Sequence, residues 1–476
     1  DLPLNISIIT AEDINLTHSA GTASTYGTLT SSDDLVATIS GAALTTITTL
    51  TVTDDTTITV TGDGGLTIGT VSDGIGDFTL DGSASTGVIT VSANDASSTT
   101  EPHILTGGSN NDSLTGGDDG DTITGGAGND SLTGGGGNDT LNGGDGNDTL
   151  TAGTGTVTLN GGAGNDTLAI GATYTSSDSF DGGAGTDTAT MSTTTTIAPT
   201  LTNIEKATVG FIAGGAFNAG NSSSLTTITV EEKTSGTAAP ATIINVASGT
   251  QIILTDTNGG SDLTTLTLDS ANAADVTLTA RLAQGEATTI TDVVGLTINA
   301  ESTGATASIG ALALDATDTT SLTLVGADTA YALSTGTITN SAKVATISVS
   351  SSTTTGTAEL GAMADADSLT SLTLTAVNAS VTTNTIGATG TDANDLDTIT
   401  ISASGGATAT LGTIWGDSTN TTTANGGETT ATMTLTADTS STVVLGAVTM
   451  DEGAVNLTAS GAGDFTLGTA DSTTAS

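Results

Sequence analysis

The chain has 476 residues, with 51 Asp and Glu against 4 Lys and Arg, and its formal net charge at pH 7 is −47. Such a charge argues against binding to DNA, RNA or an acidic membrane, because each of these would repel the chain. So many like charges also oppose compaction unless cations neutralise them, and a divalent metal ion is the obvious candidate.

The remaining composition predicts a chain that is nearly all-β. There is no cysteine, so stability must come from metal or from repeat stacking rather than from disulfides. Thr, Val and Ile favour strands, whereas Gly and Asp favour turns, and only 2% of the residues are aromatic. No apolar run reaches transmembrane length and no signal peptide is visible. Because the sequence starts at Asp1 rather than Met, we expect a processed or truncated product.

Residues 1–104 are expected to form an N-terminal β region. Short alternating runs such as Leu50-Thr-Val-Thr are separated by turn signals such as Gly62-Asp-Gly-Gly. This spacing suits short strands, arranged either as a sandwich or as an irregular solenoid.

Residues 105–191 contain a nine-residue repeat. Most copies begin with two glycines, carry an acidic residue at position six and an aliphatic residue at position eight, as in the copy that starts at Gly125. Position six holds Asp112, Asp121, Asp130, Asp139, Asp148, Asp166 and Asp187, and only Val157 breaks the series. A twelve-residue interruption precedes the last copy, which starts at Gly182.

The chemistry of these positions predicts calcium binding. Paired glycines permit a tight turn that exposes carbonyl oxygens, and the Asp adds a carboxylate oxygen. Ca²⁺ takes six to eight oxygen ligands in irregular geometry, which such a turn can supply. The predicted ligands at positions six, one and four are Asp112, Asp121, Asp130, Asp139, Asp148, Asp166, Asp187, Gly107, Gly116, Gly125, Gly134, Gly143, Gly161, Asn110, Asp119, Gly128, Gly137, Gly146 and Gly164. The alternative is a disordered Gly/Asp linker, a state that the region could also adopt without metal.

The consensus over Gly107 to Ala169 closely resembles the RTX family of calcium-binding nonapeptide proteins. The resemblance implies a parallel β-roll in which two repeats form an 18-residue turn, with each Ca²⁺ between repeats i and i+2 on alternating sides. One side would stack Asp112, Asp130, Asp148 and Asp166 and give three full sites. The other side would stack Asp121 and Asp139 and give one full site. A further site on that side, beside Val157, would be impaired because Val157 replaces the aspartate. This implies about four good calcium sites in the β-roll. Whether other parts of the chain also bind calcium is left open by the sequence.

Residues 192–476 show a longer and looser repeat. Its markers are a glycine that usually follows an aliphatic residue, as in Leu360-Gly-Ala, and an alternating strand such as Leu372-Thr-Leu. A period of about 25 residues suits one coil of a parallel β-helix. A longer step contains residues 417–430, which are expected to form a loop insertion. The predicted fold is therefore an all-β parallel solenoid, or β-helix, with an RTX calcium β-roll between two flanking β regions.

The segment Leu201-Thr-Asn-Ile-Glu-Lys-Ala-Thr-Val-Gly, after the last nonapeptide, resembles a junction in RTX-type surface-layer (S-layer) proteins of Gram-negative bacteria. The Thr/Ala/Gly-rich composition is similar in style. This resemblance implies type I secretion to the extracellular cell surface and self-assembly into a lattice or filament. It also implies contact with cell-surface polysaccharide through an anchoring region that this sequence lacks. The sequence departs from the pattern in having no helical anchor and only a weak candidate export signal.

The residue inventory argues against an enzyme. The only histidines are His18 and His103, and neither a His-Glu-x-x-His motif, a Gly-x-Ser-x-Gly motif nor a cysteine occurs. A glycosidase would need an aromatic sugar cleft, and the single tryptophan, Trp415, is better explained as a cap or interface residue. We therefore predict a non-enzymatic, calcium-stabilised S-layer protein. The alternative is a calcium-stiffened extracellular adhesin or filament subunit. Nucleic-acid binding and membrane insertion are not expected.

Overall fold

The computed structural model shows a chain of parallel β-strands, with no helix in the part that it describes. It describes residues 4–7, 13–18, 23–31, 33–52, 54–73, 76–93, 102–171, 174–212, 214–232, 239–256, 263–280, 287–300, 307–309, 311–314, 319–326, 333–339, 344–351, 357–363, 369–386, 398–415, 431–450, 455–468 and 470–472. Within these ranges, no helix is long and apolar enough to cross a membrane. The predicted fold class, an all-β parallel solenoid that contains an RTX β-roll, is confirmed.

The chain forms two compact units. Unit 1 comprises Asp1–Ser192, Ala198–Thr208 and Asn221–Leu225, and unit 2 comprises Thr193–Ile197, Val209–Gly220 and Thr226–Ser476. The division at residues 104/105 and 191/192 remains a prediction. Parallel pairing continues across the first of these boundaries, because Leu80 pairs with Leu105 and Thr90 with Ser113.

The first half of the chain consists of short strands. They are β1 Leu4–Ser7, β2 Asp13–His18, β3 Ser24–Ser31, β4 Leu35–Gly41, β5 Thr45–Val52, β6 Thr56–Gly62, β7 Leu66–Asp73, β8 Phe78–Ser85, β9 Ile89–Ser92, β10 Ile104–Thr106, β11 Ser113–Thr115, β12 Thr122–Ala127, β13 Ser131–Gly135, β14 Thr140–Asp145, β15 Thr149–Gly153, β16 Thr158–Ala163, β17 Thr167–Gly171, β18 Ser179–Ala184, β19 Thr188–Thr193, β20 Thr196–Ile197, β21 Leu201–Thr202 and β22 Lys206–Phe211.

In unit 1, consecutive strands alternate between two parallel sheets. The odd-numbered strands β1 to β19 form one sheet and the even-numbered strands β2 to β18, with β21, form the other. Each strand therefore pairs with a strand one full turn later, as Thr45 does with Leu66 and Ser113 with Ser131. The N-terminal region is a solenoid rather than a sandwich, and its turns are longer than those of the nonapeptides.

The core of unit 1 follows from the alternation of side chains along each strand. In the nonapeptide turns, the position-eight side chains of both sheets point inward and are fully buried, as are those of Leu132 and Leu141. A single three-residue strand cannot bury its leucine alone, whereas stacked turns bury a continuous column of them.

The second half of the chain contains longer coils. Its strands are β23 Ala216–Asn218, β24 Thr227–Glu232, β25 Ala239–Val246, β26 Gln251–Asp256, β27 Leu263–Ala280, β28 Ala287–Ala300, β29 Ala307–Ile309, β30 Leu312–Ala313, β31 Ser321–Gly326, β32 Leu333–Thr335, β33 Ile338–Thr339, β34 Thr346–Ser351, β35 Ala358–Leu360, β36 Ser371–Val377, β37 Val381–Thr383, β38 Thr398–Ser404, β39 Thr408–Leu411, β40 Ile414–Trp415, β41 Ala431–Ala437, β42 Thr442–Leu445, β43 Val448–Met450, β44 Val455–Gly461, β45 Asp464–Leu467 and β46 Ala470–Ser472.

From β29 onward, each coil of unit 2 supplies segments to three columns of parallel strands. The first column runs through β31, β34, β36, β38, β41 and β44, and the second through β29, β32, β35, β37, β39, β42 and β45. The third contains β30, β33, β40, β43 and β46, and single bridges at Met363 and Ile386 continue it. Ser321 pairs with Thr346 and Thr346 with Ser371, so one coil separates each residue from its partner, in agreement with the repeat seen in the sequence.

In the described part of unit 2, four marker glycines are needed for close packing rather than for a special backbone angle, namely Gly361, Gly412, Gly446 and Gly468. A Cβ atom built on Gly361 would collide with the backbone of Gly336, one coil earlier. The predicted loop insertion at 417–430 lies outside the described residues. The backbone of Trp415 pairs with Thr449, and its role as a cap or interface residue stays a prediction.

Candidate calcium sites

The position-six aspartates lie at the corner that precedes each strand of the nonapeptide turns. Asp112, Asp130, Asp148, Asp166 and Asp187 precede strands of one sheet, and Asp121 and Asp139 precede strands of the other. All seven side chains are at most 2% exposed. Carboxylates are seldom buried to this degree unless they are paired or bound to metal, so each one calls for a partner.

One oxygen of each carboxylate is used by the backbone. Oδ1 of Asp130 accepts the main-chain N–H of Asp112 at 2.7 Å, and Oδ1 of Asp148 accepts that of Asp130 at 2.7 Å. On the other side, Oδ1 of Asp139 accepts the N–H of Asp121 at 2.9 Å. Each aspartate therefore joins its own turn to the preceding turn on the same side.

The second oxygen, Oδ2, of most of these carboxylates has no hydrogen-bond partner in the described part of the chain. Among the described residues, Oδ2 finds no hydrogen-bond partner in Asp130, Asp139, Asp148, Asp166 and Asp187. Asp112 and Asp121 differ, because their Oδ2 atoms accept the N–H of Gly108 at 2.6 Å and of Gly117 at 2.7 Å. A buried oxygen without a partner is costly, and more so when it carries charge.

The position-one glycine marks the point toward which the free oxygen is directed. A Cβ atom built on Gly125 would collide with Oδ2 of Asp130 and also with the carbonyl oxygen of Gly143, on the next turn. The same two kinds of oxygen, a carboxylate Oδ2 and a position-one carbonyl of the next turn, face Gly107, Gly116, Gly134, Gly143 and Gly161. We call each such pair of oxygens in front of a glycine a cradle. It offers hard oxygen ligands alone, the donor type that suits Ca²⁺.

The interruption at Val157 affects the two neighbouring cradles on this side differently. The cradle of Asp139 is closed by the carbonyl of Ala152, which is present although this residue is not glycine. Ala152 and Val157 are 1% and 3% exposed. The methyl group of Ala152 stands where a position-one glycine leaves room, and Val157 supplies no carboxylate, so the following cradle on this side is missing.

We call the series of hydrogen bonds from main-chain N–H groups to aspartate Oδ1 atoms of the next turn the ladder. Asp178 restores the ladder beyond this break. Its Oδ1 accepts the N–H of Val157 at 2.9 Å, and its Oδ2 accepts that of Thr175 at 2.8 Å. Both oxygens are thus satisfied, so Asp178 holds a turn without offering a free ligand. The sequence prediction missed this residue inside the twelve-residue interruption. The available signal was the spacing from Asp178 to Phe180, which pairs with Leu159 as a position-eight residue.

The sequence analysis also did not predict the two residues that lie at the ends of the ladder, His103 and Glu205. His103, fully buried, donates its main-chain N–H to Oδ1 of Asp121 at 2.8 Å, and its Nδ1 lies 3.5 Å from the same oxygen. Glu205 accepts the N–H of Asp187 at 2.8 Å. Each stands where position six would fall, but no glycine pair precedes either one in the sequence.

The carboxylates are poorly stabilised as free anions. Burial raises the pKa of Asp130 and of Asp139 to about 7 and the pKa of Asp166 to about 6. Neighbouring aspartates of the ladder act in the same direction, while the main-chain N–H bonds oppose them. Burial also raises the pKa of Asp112, Asp148 and Asp187. A cation at each cradle would remove this penalty.

The position-four residues lie farther along the turn. The backbone of Gly128 packs on that of Asn110, and Gly137 on Asp119, with positive φ angles of 121° and 86°. Gly146 and Gly164 continue this stack. A contribution of their carbonyl oxygens to calcium binding stays a prediction.

The position-five side chains also join successive turns, since Oδ1 of Asn111 accepts the N–H of Asn129 at 2.8 Å.

Comparison with known proteins identifies this region. Residues 106–141 and 142–172 match the family model of the RTX calcium-binding nonapeptide repeat (4 copies). These residues are an RTX repeat region, and Ca²⁺ is the ion that such repeats bind. Proteins with this repeat are typically secreted by the type I route and extracellular. No curated protein and no solved structure matches the chain.

Proposed function

We propose that the chain is a secreted structural protein that folds with calcium and assembles with copies of itself into a surface layer. The observation that carries this proposal is the column of buried aspartate oxygens that find no hydrogen-bond partner in the described part of the chain, together with the net charge of −47. Calcium bound at the cradles would stabilise the folded state, because the unfolded chain has no preformed site.

Calcium would also permit association. Free monomers of this charge repel one another, and bound divalent ions lower that repulsion. Unit 2 offers a surface for contact, since Leu457 and Leu467 on β44 and β45 are 43% and 56% exposed. The residues that pair with them one coil earlier, Met433 and Leu445, are buried. Exposed strand edges with apolar side chains favour pairing with another chain. The proposed partner is therefore a second copy, with cell-surface polysaccharide as the anchor.

The test is electron microscopy of the purified full chain with and without calcium. We expect dispersed particles in EGTA and ordered sheets after calcium is added. As a control, a Leu457→Ser, Leu467→Ser variant should bind calcium normally and form fewer or smaller sheets. Particles that stay dispersed at millimolar calcium would contradict the surface-layer proposal, while leaving calcium binding intact.

The second candidate is an adhesin, and the outward face of unit 2 favours it. Two rows of hydroxyls run across five strands, Ser321, Thr346, Ser371, Thr398 and Thr432 in one and Thr323, Ser348, Thr373, Thr400 and Thr434 in the other. Hydroxyls both donate and accept hydrogen bonds, which suits a neutral glycan. An adhesin should remain monomeric in calcium and bind such a glycan, and the same microscopy with a glycan-binding assay separates the two roles.

We propose no catalytic role. In the described part of the chain, the fully buried titratable side chains are His103 and the position-six aspartates. These side chains belong to the ladder and its cradles, where the Oδ1 contacts of the aspartates join one turn to the next. An enzymatic function would need a separate site.

A further inference from the structure

The calcium ladder has one more step beyond the residues that match the RTX repeat. Asp187 follows the interruption, outside residues 106–172. Its side chain is fully buried and its Oδ2 finds no hydrogen-bond partner among the described residues. Its Oδ1 accepts the N–H of Asp166 at 2.7 Å, so the carboxylate is held in the same orientation as those of the matched repeats.

The oxygen that faces Asp187 comes from a residue that is not part of any nonapeptide. A Cβ atom built on Gly182 would meet Oδ2 of Asp187 and the carbonyl oxygen of Asn203. In the earlier turns, the corresponding carbonyl belongs to position one of the next repeat, which for Asp166 is Gly182. Asn203 therefore takes the place of a position-one residue.

The backbone of Asn203 is shaped for this position. Its φ is +49°, a left-handed angle that asparagine adopts more readily than most residues. Its Nδ2 donates to Oδ1 of Asp181 at 2.9 Å, which fixes the corner between β21 and β22. A position-one carbonyl can thus be presented without glycine.

The following corner is shorter than in the nonapeptides, and Glu205 compensates for this. Position six follows position one by five residues in the repeat, but Glu205 follows Asn203 by only two. Its Oε2 still accepts the N–H of Asp187 at 2.8 Å. The longer side chain of glutamate reaches the contact that aspartate makes elsewhere. Asp181, Asp187 and Glu205 together place three carboxylates around this corner, and a divalent cation would offset their repulsion.

We infer that Oδ2 of Asp187 and the carbonyl of Asn203 form a further calcium site, which fastens β21 and the start of β22 to the last nonapeptide of unit 1. This inference rests on the proposed calcium dependence of the ladder. Its distinct content is that calcium also orders residues 201–206, which lie outside the recognised repeat. The N–H of Lys206 donates to the carbonyl of Asp187 at 3.0 Å, so this amide reports directly on the step.

The experiment compares the full chain with an Asp187→Asn variant and a matched Asp178→Asn control. Bound calcium is counted by equilibrium dialysis, and exchange of the Lys206 amide is followed with and without calcium. The inference expects one calcium fewer in Asp187→Asn, with at least a tenfold loss of calcium-dependent protection at Lys206. The control should keep the wild-type number, because both oxygens of Asp178 are already satisfied.

A second pair of variants keeps the test decisive if Asp187→Asn folds poorly. Asn203→Gly retains the carbonyl and tolerates the positive φ, so it should keep the wild-type calcium number. Asn203→Val should lose one calcium, because a β-branched residue resists that angle. Equal calcium numbers in wild type, Asp187→Asn and Asn203→Val would overturn the inference, while an Asp148→Asn variant that still lost one calcium would preserve the proposed function. A wild-type chain that bound no calcium would overturn both.

Discussion

The nonapeptide turns of unit 1 and the longer coils of unit 2 solve the same problem in different ways. Both stack parallel strands around buried aliphatic side chains, and both must satisfy main-chain N–H groups at their corners. In the nonapeptides, buried carboxylates accept these N–H groups, and five of them, Asp130, Asp139, Asp148, Asp166 and Asp187, keep an Oδ2 atom with no hydrogen-bond partner among the described residues. In unit 2, buried hydroxyls do so, as where Oγ1 of Thr335 accepts the N–H of Gly361 at 2.9 Å.

The two regions also differ in how much apolar surface they bury. The nonapeptide turn 125–142 buries only two large apolar side chains, Leu132 and Leu141. The coil that begins at Leu369 buries several within a similar length, including Leu372, Leu374 and Val381. We therefore expect a turn with so small a core and an uncompensated charge to need a ligand for stability, and the coils of unit 2 to depend on one less.

Removal of calcium by a chelator should produce the largest difference in stability between the nonapeptide turns and unit 2. Without calcium, the buried aspartates of the nonapeptides lose their counter-ions, so this region should unfold while unit 2 remains folded. Differential scanning calorimetry of the full chain should show one transition that disappears in excess EGTA and another that keeps its midpoint. Two transitions unchanged by EGTA would show that the nonapeptide region is stable on its own.

Filling a single cradle should have the next largest effect. Gly125→Ala places a methyl group against Oδ2 of Asp130 and the carbonyl of Gly143, so it should abolish one calcium site and cost about 1–3 kcal/mol through crowding alone. Calcium titration calorimetry would measure the loss. Ala152→Gly is the matched control, because Val157 on that turn offers no carboxylate. Equal loss in both variants would mean that cavity shape, not the cradle, governs binding.

The pH dependence should distinguish the metal-free regions from each other. The folded pKa of Asp130 and Asp139, about 7, exceeds the usual value of 3.8, so the folded state binds more protons than the unfolded state between these limits. Metal-free nonapeptide turns should therefore gain stability as the pH falls from about 7 to about 4 and lose it as the pH rises. Amide exchange in EGTA at pH 4.5 and 7.5, corrected for intrinsic rates, measures this. Unit 2 should change little, and an opposite trend in the nonapeptides would contradict the burial argument.

The smallest effect is expected at a hydroxyl corner of unit 2. Thr335→Val removes the acceptor of the Gly361 N–H at nearly constant volume and should cost about 1 kcal/mol. This cost should be the same with and without calcium, in contrast to any change at a position-six aspartate. Thermal unfolding of the variant in both conditions would measure it, and a calcium-dependent cost would blur the distinction between the regions.

The parts of the site that were predictable from the sequence are those tied to residue type and strict phase. A nine-residue period with Asp and Leu at fixed positions places Asp130 at a corner and Leu132 in the core. The interruption hid Asp178, because the extra residues shift the phase before it. The cradle of Asp139 was hard to predict for another reason. Its second oxygen belongs to the main chain of Ala152, and a carbonyl is present whatever the side chain.

The fold was predictable to a similar degree. Short alternating runs in residues 1–104 indicated strands but left sandwich and solenoid open, because alternation does not reveal which strands pair. Pairing depends on long-range register, such as Thr45 with Leu66. In unit 2, the looser period indicated one coil per repeat, but the third column of strands rests on segments as short as Ile338–Thr339, which carry little sequence signal.

Hydrogen exchange of both regions in one sample tests the central claim most directly. The amide of Asp130, which donates to Asp148, reports on the calcium ladder, and the amide of Gly361 reports on a hydroxyl corner of unit 2. If buried carboxylates hold the nonapeptide turns only when calcium neutralises them, EGTA at pH 7.5 should remove protection at Asp130 and leave Gly361 protected. Equal protection at Asp130 with and without calcium would contradict the account.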